Sequence, residues 1–414
     1  MYFSTQRKQI VILYGATIIG ILLGVISSVI NTRNLSPHDY GDVRYIQNLI
    51  SFISSLLLLG YFTSGSRLLA LSKDEEYSRK IRGAIVTIML LTIIILSLIM
   101  LILYVYSLIQ GKNNLTPLYL ISVFTSGNVI LLNYINTTSQ GDNHIGRIAL
   151  ARLLPTFFYI VAAIFIYKIY YATPLLMLIL YNGIAVLILG ILIYSSKPCF
   201  KDIKSSLKIL NEENKKYGLQ VYIGSLAGVS TTYIAGITLG NFCSNNSNVG
   251  FYTLALTIAM PLSMLPSTIG TAYFKRFANE TKISNKIILG SVFMTFLTYL
   301  IFIIIVDFIV RALYTANYYS VSTYASFLAI ATSLHGLGDM FNRFLGAHGQ
   351  GKQIRNGAIV CGTIVTIGSI LFVYYWQIMG AIITKIIGSM AYMLMMIYYY
   401  IKFTYKKEND KFHT

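Results

Sequence analysis

The sequence predicts an all-α polytopic membrane protein of about twelve transmembrane helices in two parallel six-helix repeats, with both termini cytoplasmic. Three observations carry this reading. Of the 414 residues, 56% are hydrophobic and only 11% are charged, whereas a soluble domain carries about a quarter charged residues. Apolar runs near the roughly 20 residues needed to cross a hydrocarbon core recur along the whole chain. Finally, one pattern occurs twice. Gly41 follows the turn-prone Ser36-Pro37-His38-Asp39 and is followed 26 residues later by Arg67; Gly250 follows Asn245-Asn246-Ser247-Asn248 and is followed 26 residues later by Arg276. The copies are 209 residues apart, about half the chain, and Gln140-Gly141 and Gln350-Gly351 repeat at 210.

Taken in order, the spans of the first half are 10–30, 45–70, 84–108, 116–140, 148–170 and 174–195. The run 10–30 is too long for a signal-peptide core and lacks a clear small-residue cleavage site, so it is expected to remain as span one. Residues 197–217 form a basic, polar cytoplasmic linker, the only long loop expected. The second half supplies 218–242, 250–273, 285–307, 322–346, 356–375 and 378–400, followed by a basic polar tail, 405–414. The expected domains are thus an N-terminal lobe, 1–196, the linker, and a C-terminal lobe, 218–404. Six spans is an even number, so both lobes enter the membrane in the same direction, the parallel arrangement of transporters with a site between two lobes.

Lys and Arg set the orientation. Of 32, 26 fall on the side of the N-terminus, including Arg7, Lys8, Lys73 and Lys275; five (Arg33, Arg44, Lys112, Lys168, Arg311) fall opposite, and Lys385 lies inside a span. That asymmetry places both termini in the cytoplasm. It also accounts for the net charge of +18 through topology and attraction to anionic lipid, without nucleic acid. Tyrosines agree: Tyr104, Tyr106, Tyr170, Tyr171, Tyr374 and Tyr375 mark outer ends and Tyr398–Tyr400 an inner end, as in an aromatic belt.

Polar residues inside spans mark candidate chemistry. Span four carries Ser122, Thr125, Asn128 and Asn133, and span seven Gln220, Ser225 and Thr231; such residues serve helix–helix bonding or a hydrated cavity. Charges are costlier there and tend to face cavities. Arg33 and Arg44 flank the first outer loop, and Arg67 and Arg276 end the two repeated helices, where snorkelling is the competing account. Lys385 lies roughly 10 Å inside the membrane at 1.5 Å per residue, where snorkelling is harder; pairing with an acid such as Asp307 is the alternative. His335, Asp339 and Arg343 stack on one face of span ten. Asp339 reads either as half of a buried ion pair with Arg343 or as a proton-coupling carboxylate. Asp307 and Asp339 are the only acids within spans.

Enzyme signatures are missing. There is no Gly-rich phosphate loop, HExxH, nucleophile elbow or soluble catalytic domain, so catalysis is not expected. Cys199, Cys243 and Cys361 have no metal-ligand or redox spacing, and neither a metal nor a cofactor is expected.

The segments Leu35-Ser36-Pro37-His38-Asp39-Tyr40-Gly41, Val249-Gly250-Phe251-Tyr252-Thr253-Leu254-Ala255-Leu256 leading to Lys275-Arg276, and Gly346-Ala347-His348-Gly349-Gln350-Gly351-Lys352 carry a resemblance. The chain resembles the oligosaccharide flippases, O-antigen translocases and capsule repeat-unit exporters of the multidrug/oligosaccharidyl-lipid/polysaccharide exporter superfamily. Asp39 stands where many members have Glu. The resemblance implies a MATE-like fold in the bacterial plasma membrane. It implies movement of an undecaprenyl-diphosphate-linked oligosaccharide from the cytoplasmic to the outer leaflet, for O-antigen or capsule. It also implies partners among membrane lipids and glycan polymerases, with energy from a proton or sodium gradient or the membrane potential. Arg33 matches a position where cationic residues recur in that family. A diphosphate needs a hydrated, cationic site, which suits Arg33, Arg44, Arg67, Arg276 and Lys385; His335, Asp339 and Asp307 are the ion-coupling candidates. The alternatives are a cation-coupled drug or metabolite antiporter, which would want more intramembrane acids, and a membrane-embedded glycan polymerase or ligase, which would want a large outer loop.

Overall fold

A computed structural model describes residues 2–72, 74–111 and 114–412. Lys73 and Lys112, and the side chains of Arg7, Lys8, Lys275 and Lys411, lie outside the described residues. All regular structure among these residues is helical, and the chain divides into two compact units, 1–226 and 227–414.

In the first unit, α1 (Tyr2–Asn34) is followed by α2 (Pro37–Leu57) and α3 (Tyr61–Leu71). Ser36 caps α2 by accepting the Asp39 N–H at 3.1 Å, and Pro37 occupies the first turn, where its missing donor costs nothing. Gly60, at φ +83°, lets α3 turn off at 60° from α2, so the second expected span is bent. Then come α4 (Glu75–Ile109), capped by Asp74, α5 (Thr116–Thr125) and α6 (Asn128–Gly141), α7 (Ile145–Ile169), and α8 (Pro174–Tyr194), which starts on a Thr173 cap and a proline. Tyr40, Val43, Ile46 and Ile50 form one face of α2 and are buried, as are Ile81, Ile85, Leu96 and Met100 of α4. The opposite face of α4 exposes Leu98, Ile102 and Ile109, as a lipid-facing surface does.

The segment expected to be a loop is folded. Residues 203–213 form α9 (Ile203–Glu213), and a π-helical turn, Asn214–Gly218, joins it to α10 (Leu219–Phe242). Its few apolar residues are enough because polar ones dock it. Ser64 Oγ donates to Asn214 Oδ1 at 3.0 Å, Asn214 Nδ2 donates to the Leu59 carbonyl at 3.1 Å, and Tyr61 Oη donates to Asn211 at 3.1 Å. At the contact, a Cβ on Gly60 would lie 2.4 Å from the backbone of Gly218, so this approach requires glycine.

The second unit contains most of α10, then α11 (Ser247–Ala259), α12 (Pro261–Ala272), α13 (Phe274–Phe277), α14 (Asn285–Leu313), α15 (Val321–Ala347) and α16 (Gly351–Phe412). Pro261 separates α11 from α12 within the eighth expected span. α16 is broken at Gln377, whose φ is +47°, so its two parts are the eleventh and twelfth expected spans. Gly380 makes the break possible: a Cβ there would sit 2.0 Å from the Phe372 carbonyl oxygen. The core of this unit gathers Phe277, Met340, Phe341, Phe344, Cys361, Val365, Tyr392 and Met396.

Nine helices among the described residues are long and apolar enough to cross a membrane, and the bent α2–α3 pair makes ten. The break in α16 divides one of these into two crossings, and α15, with His335, Asp339 and Arg343 along its 27 residues, is the remaining one. Twelve helical passes result.

Candidate functional site

In the first unit, polar side chains collect where α1 ends and α2 begins. Arg44, half-buried on α2, donates from Nε to Tyr40 Oη and from Nη1 to Gln47 Oε1, both at 2.9 Å, and its guanidinium stands 4.9 Å over the Tyr40 ring. Both partners are neutral. Arg44 makes no ion pair among the described residues, an unusual state for a cation in an apolar helix bundle. Nearby, Tyr159 of α7 is fully buried and donates to Asn31 Oδ1 of α1, with Tyr167 also directed at Asn31 at 3.4 Å. Tyr181 of α8 meets the Tyr159 ring edge-on at 5.2 Å. Arg33 lies in the last turn of α1, exposed, two residues beyond Asn31. Arg33 thus lies at the end of α1, and Arg44 lies in the second turn of the next helix, α2.

At the start of α2, His38, Asp39 and Asp42 place one ligand atom each within 4.8 Å of one another. His38 Nδ1 lies 3.5 Å from Asp42 Oδ2 and 3.8 Å from Asp39 Oδ1. These residues have the chemistry to hold a cation. No metal is expected from the sequence, where His38 and Asp39 appear as part of a turn-prone cluster; acids at a helix start are also favoured by the helix dipole.

Arg67 and Arg276 are placed differently. Arg67 pairs with Glu213 of α9 and stands 5.0 Å over the Tyr217 ring. Arg276 pairs with Glu280 at 2.7 Å. Both are exposed, and both charges already have a carboxylate.

In the second unit, α15 and α16 meet in a polar cluster. Tyr392 Oη donates to Asp339 Oδ1 at 2.9 Å and accepts from Asn342 Nδ2 at 2.6 Å. The His335 ring stacks on Tyr392 with centroids 4.5 Å apart. Arg343 is exposed and forms no ion pair with Asp339 among the described residues; a hydroxyl from α16 takes the carboxylate instead. Lys385 donates to the Thr231 carbonyl of α10 at 3.0 Å. It does not pair with Asp307, which is held at 2.7 Å by Arg311 one helical turn along α14, at an exposed position. Lys385, like Arg44, is thus a cation hydrogen-bonded to a neutral partner.

The structure also holds a cluster that sequence reasoning missed. Arg82, 5% exposed, donates to Asp142 at 2.8 Å, Glu75 at 3.0 Å and the Ser196 carbonyl at 2.9 Å. It ties the ends of α4, α6 and α8 together. Tyr159 was equally missed, although a tyrosine in mid-span, away from the headgroup belt, is a signal for a buried hydrogen bond.

Comparison with known proteins fits this architecture. A multidrug resistance MATE family transporter of the MOP superfamily, in an inward-facing conformation, superposes with a TM-score of 0.73 at 15% identity, over 97% of this chain and 99% of that one. The lipid II flippase MurJ, inward closed, superposes at 0.68 and 15% identity, over 96% and 89%. A MATE protein in the straight conformation gives 0.60 at 15%, over 97% and 96%. At such identities the likeness is one of fold. No curated protein matches the sequence. Residues 7–279, about two thirds of the chain, match the family described as polysaccharide biosynthesis protein. A twelve-pass helical bundle with this fold and this match settles the family: the chain belongs to the polysaccharide biosynthesis proteins.

Proposed function

We propose that the protein is a flippase that moves an undecaprenyl-diphosphate-linked oligosaccharide from the cytoplasmic to the outer leaflet by alternating access, supplying O-antigen or capsule synthesis in a bacterial plasma membrane. The observation that carries this is Arg44, a cation in the first unit hydrogen-bonded, among the described residues, to the neutral Tyr40 and Gln47. A guanidinium without a carboxylate is matched by an anionic ligand, and its planar fork suits phosphate oxygens. Lys385 offers a second such charge in the other unit, and Arg33 adds an exposed positive charge at the end of α1. Tyr167 and Tyr181, partly buried beside the fully buried Tyr159, are of the type that stacks on and hydrogen-bonds sugar rings. Family membership and the fold shared with a lipid II flippase support the same cargo class. Scarcity of intramembrane acids disfavours a cationic drug as cargo, and the structures that share the fold are a MATE transporter and a lipid II flippase, which favours transport over glycan polymerisation.

Asp339, joined to Tyr392 and beside His335, is the carboxylate best placed to couple transport to a proton gradient; Asp307, satisfied by Arg311, is the weaker candidate. Deleting the gene in a strain with no second flippase should leave lipid-linked repeat units in the cytoplasmic leaflet and remove polymer from the surface. Normal surface polymer in that strain would refute the proposal.

A further inference from the structure

The turn before α16 and the end of α16 share a feature that the transport reading leaves unused. Gly349, at φ +68°, turns the chain out of α15, and Gln350-Gly351-Lys352 opens the next helix. Gln350 and Gln353 line a cavity of about 360 Å³, which Lys402, Lys406 and Lys407 complete. Its remaining lining is aromatic, Tyr399 and Phe403. Phe403 is a fixed wall: its ring lies 4.6 Å from His348 and 5.9 Å from Phe344. The two His348 ring nitrogens in turn reach the carbonyls of Phe344 and Glu280 at 3.0 and 3.1 Å.

Among the described residues, no carboxylate lines this cavity and none of the three lysines forms an ion pair; Lys402 instead lies 6.0 Å over the Tyr398 ring. The Glu280 side chain, whose carbonyl supports the wall, is engaged by Arg276. Three ammonium groups and the Gln353 amide therefore face one space, with the Gln350 amide donating to the His348 carbonyl at 3.3 Å and the positive end of a helix opening beside it. The adjacent Tyr398–Tyr400 run marks the headgroup level of a membrane, which is where lipid phosphates lie. Three positive charges exceed the single charge of one phosphodiester.

We propose that this cavity binds the phosphates of an anionic membrane lipid, with a headgroup carrying two phosphates preferred over one carrying a single phosphodiester. The aromatic wall accepts the glycerol and upper acyl region while the lysines hold the phosphates. This assignment is independent of the cargo, since none of its residues belongs to the clusters around Arg44 or Asp339.

The test uses the full chain purified in detergent and titrated by native mass spectrometry with cardiolipin, phosphatidylglycerol, phosphatidylcholine and inorganic pyrophosphate. Cardiolipin should bind most tightly, phosphatidylglycerol less, and phosphatidylcholine least. With a lysine near an anionic surface contributing about a fivefold factor, K402Q/K406Q/K407Q should weaken cardiolipin binding by about a hundredfold. K402R/K406R/K407R should keep it. The control K201Q/K204Q/K208Q removes the same charge from exposed positions on and just before α9 and should change it less than about twofold. Equal losses in the two Gln triples would mean diffuse surface charge and overturn the site. So would unchanged binding in K402Q/K406Q/K407Q, and so would pyrophosphate bound as tightly as cardiolipin, which would make the ligand a soluble phosphate.

Discussion

Replacing Arg44 by Gln isolates the charge on which the transport reading depends. The fold should tolerate the change, because Tyr40 Oη and Gln47 Oε1, both 2.9 Å away, are neutral acceptors and no buried carboxylate is left behind. The loss to stability is that of hydrogen bonds to a charged group, reduced by the new amide, and should stay below about 2 kcal/mol. A phosphate held by the guanidinium would lose a charge-assisted bond worth about 1.5–3 kcal/mol, or roughly 10- to 150-fold in affinity. Arg44→Lys keeps the charge without the fork and should fall between. The assay is binding of a lipid-linked diphosphate to purified protein, with thermal unfolding of each variant beside it and surface polymer measured in cells. Wild-type binding and export by a normally abundant Arg44→Gln protein would refute the reasoning. Loss of folding would equally show that Arg44 is structural, and the search would pass to Arg33 and Lys385.

Arg82→Gln should behave in the opposite way. It strands Asp142, whose side chain is 5% exposed, and should cost about 3–5 kcal/mol, while Arg82→Met with Asp142→Leu should recover most of it; detergent-phase unfolding temperatures of the single and double variants decide this. Arg67→Ala and Arg276→Ala each remove an exposed ion pair and should change stability by no more than about 1 kcal/mol; a large loss of surface polymer at normal abundance would return them to the binding site. Reporter fusions at Asn211 and after residue 404 should read cytoplasmic, and one at Asn114 external. A cytoplasmic signal at Asn114 would invert the charge-based orientation.

The twelve passes were legible because membrane length and apolarity are local properties of the chain. Bends were less so. Gly60 and Pro261 are visible as helix breakers, but whether a span bends or merely weakens there depends on what packs against it, such as the Gly218 backbone against Gly60. The polar composition of 197–217 predicts a solvated linker, but Asn211 and Glu213 of α9 and Asn214 of the following turn are docking groups for α3. Spacing also misled over charge pairs. His335, Asp339 and Arg343 do share a helical face, but Asp339 finds Tyr392, 53 residues away, rather than Arg343. Asp307 instead finds Arg311, an i,i+4 partner that the spacing does carry, rather than Lys385. Partners supplied by another helix carry no trace in local periodicity, and the same blindness hid Arg82 and Asp142, 60 residues apart.

What is repeated in the two halves differs in kind from what is not. Gly41 and Gly250 are both buried near helix starts, and Arg67 and Arg276 both end in ion pairs with glutamates at exposed positions. These are requirements of a helix that must begin tightly and finish at a polar boundary, and each half has met them separately. The cations with neutral partners have no counterpart at the same 209-residue offset: Arg44 corresponds to Thr253, and Lys385 to Leu176. Asp339 corresponds to Ile130, which is fully buried. Charges present in one copy only also occur in the fold itself: Arg82 and Asp142, which hold α4, α6 and α8 together, correspond to Ser291 and Gly351. What separates Arg44 and Lys385 from Arg82 is the partner: Arg82 meets two carboxylates, whereas Arg44 and Lys385 meet neutral groups, and only such a charge is left for an anionic ligand of the kind proposed.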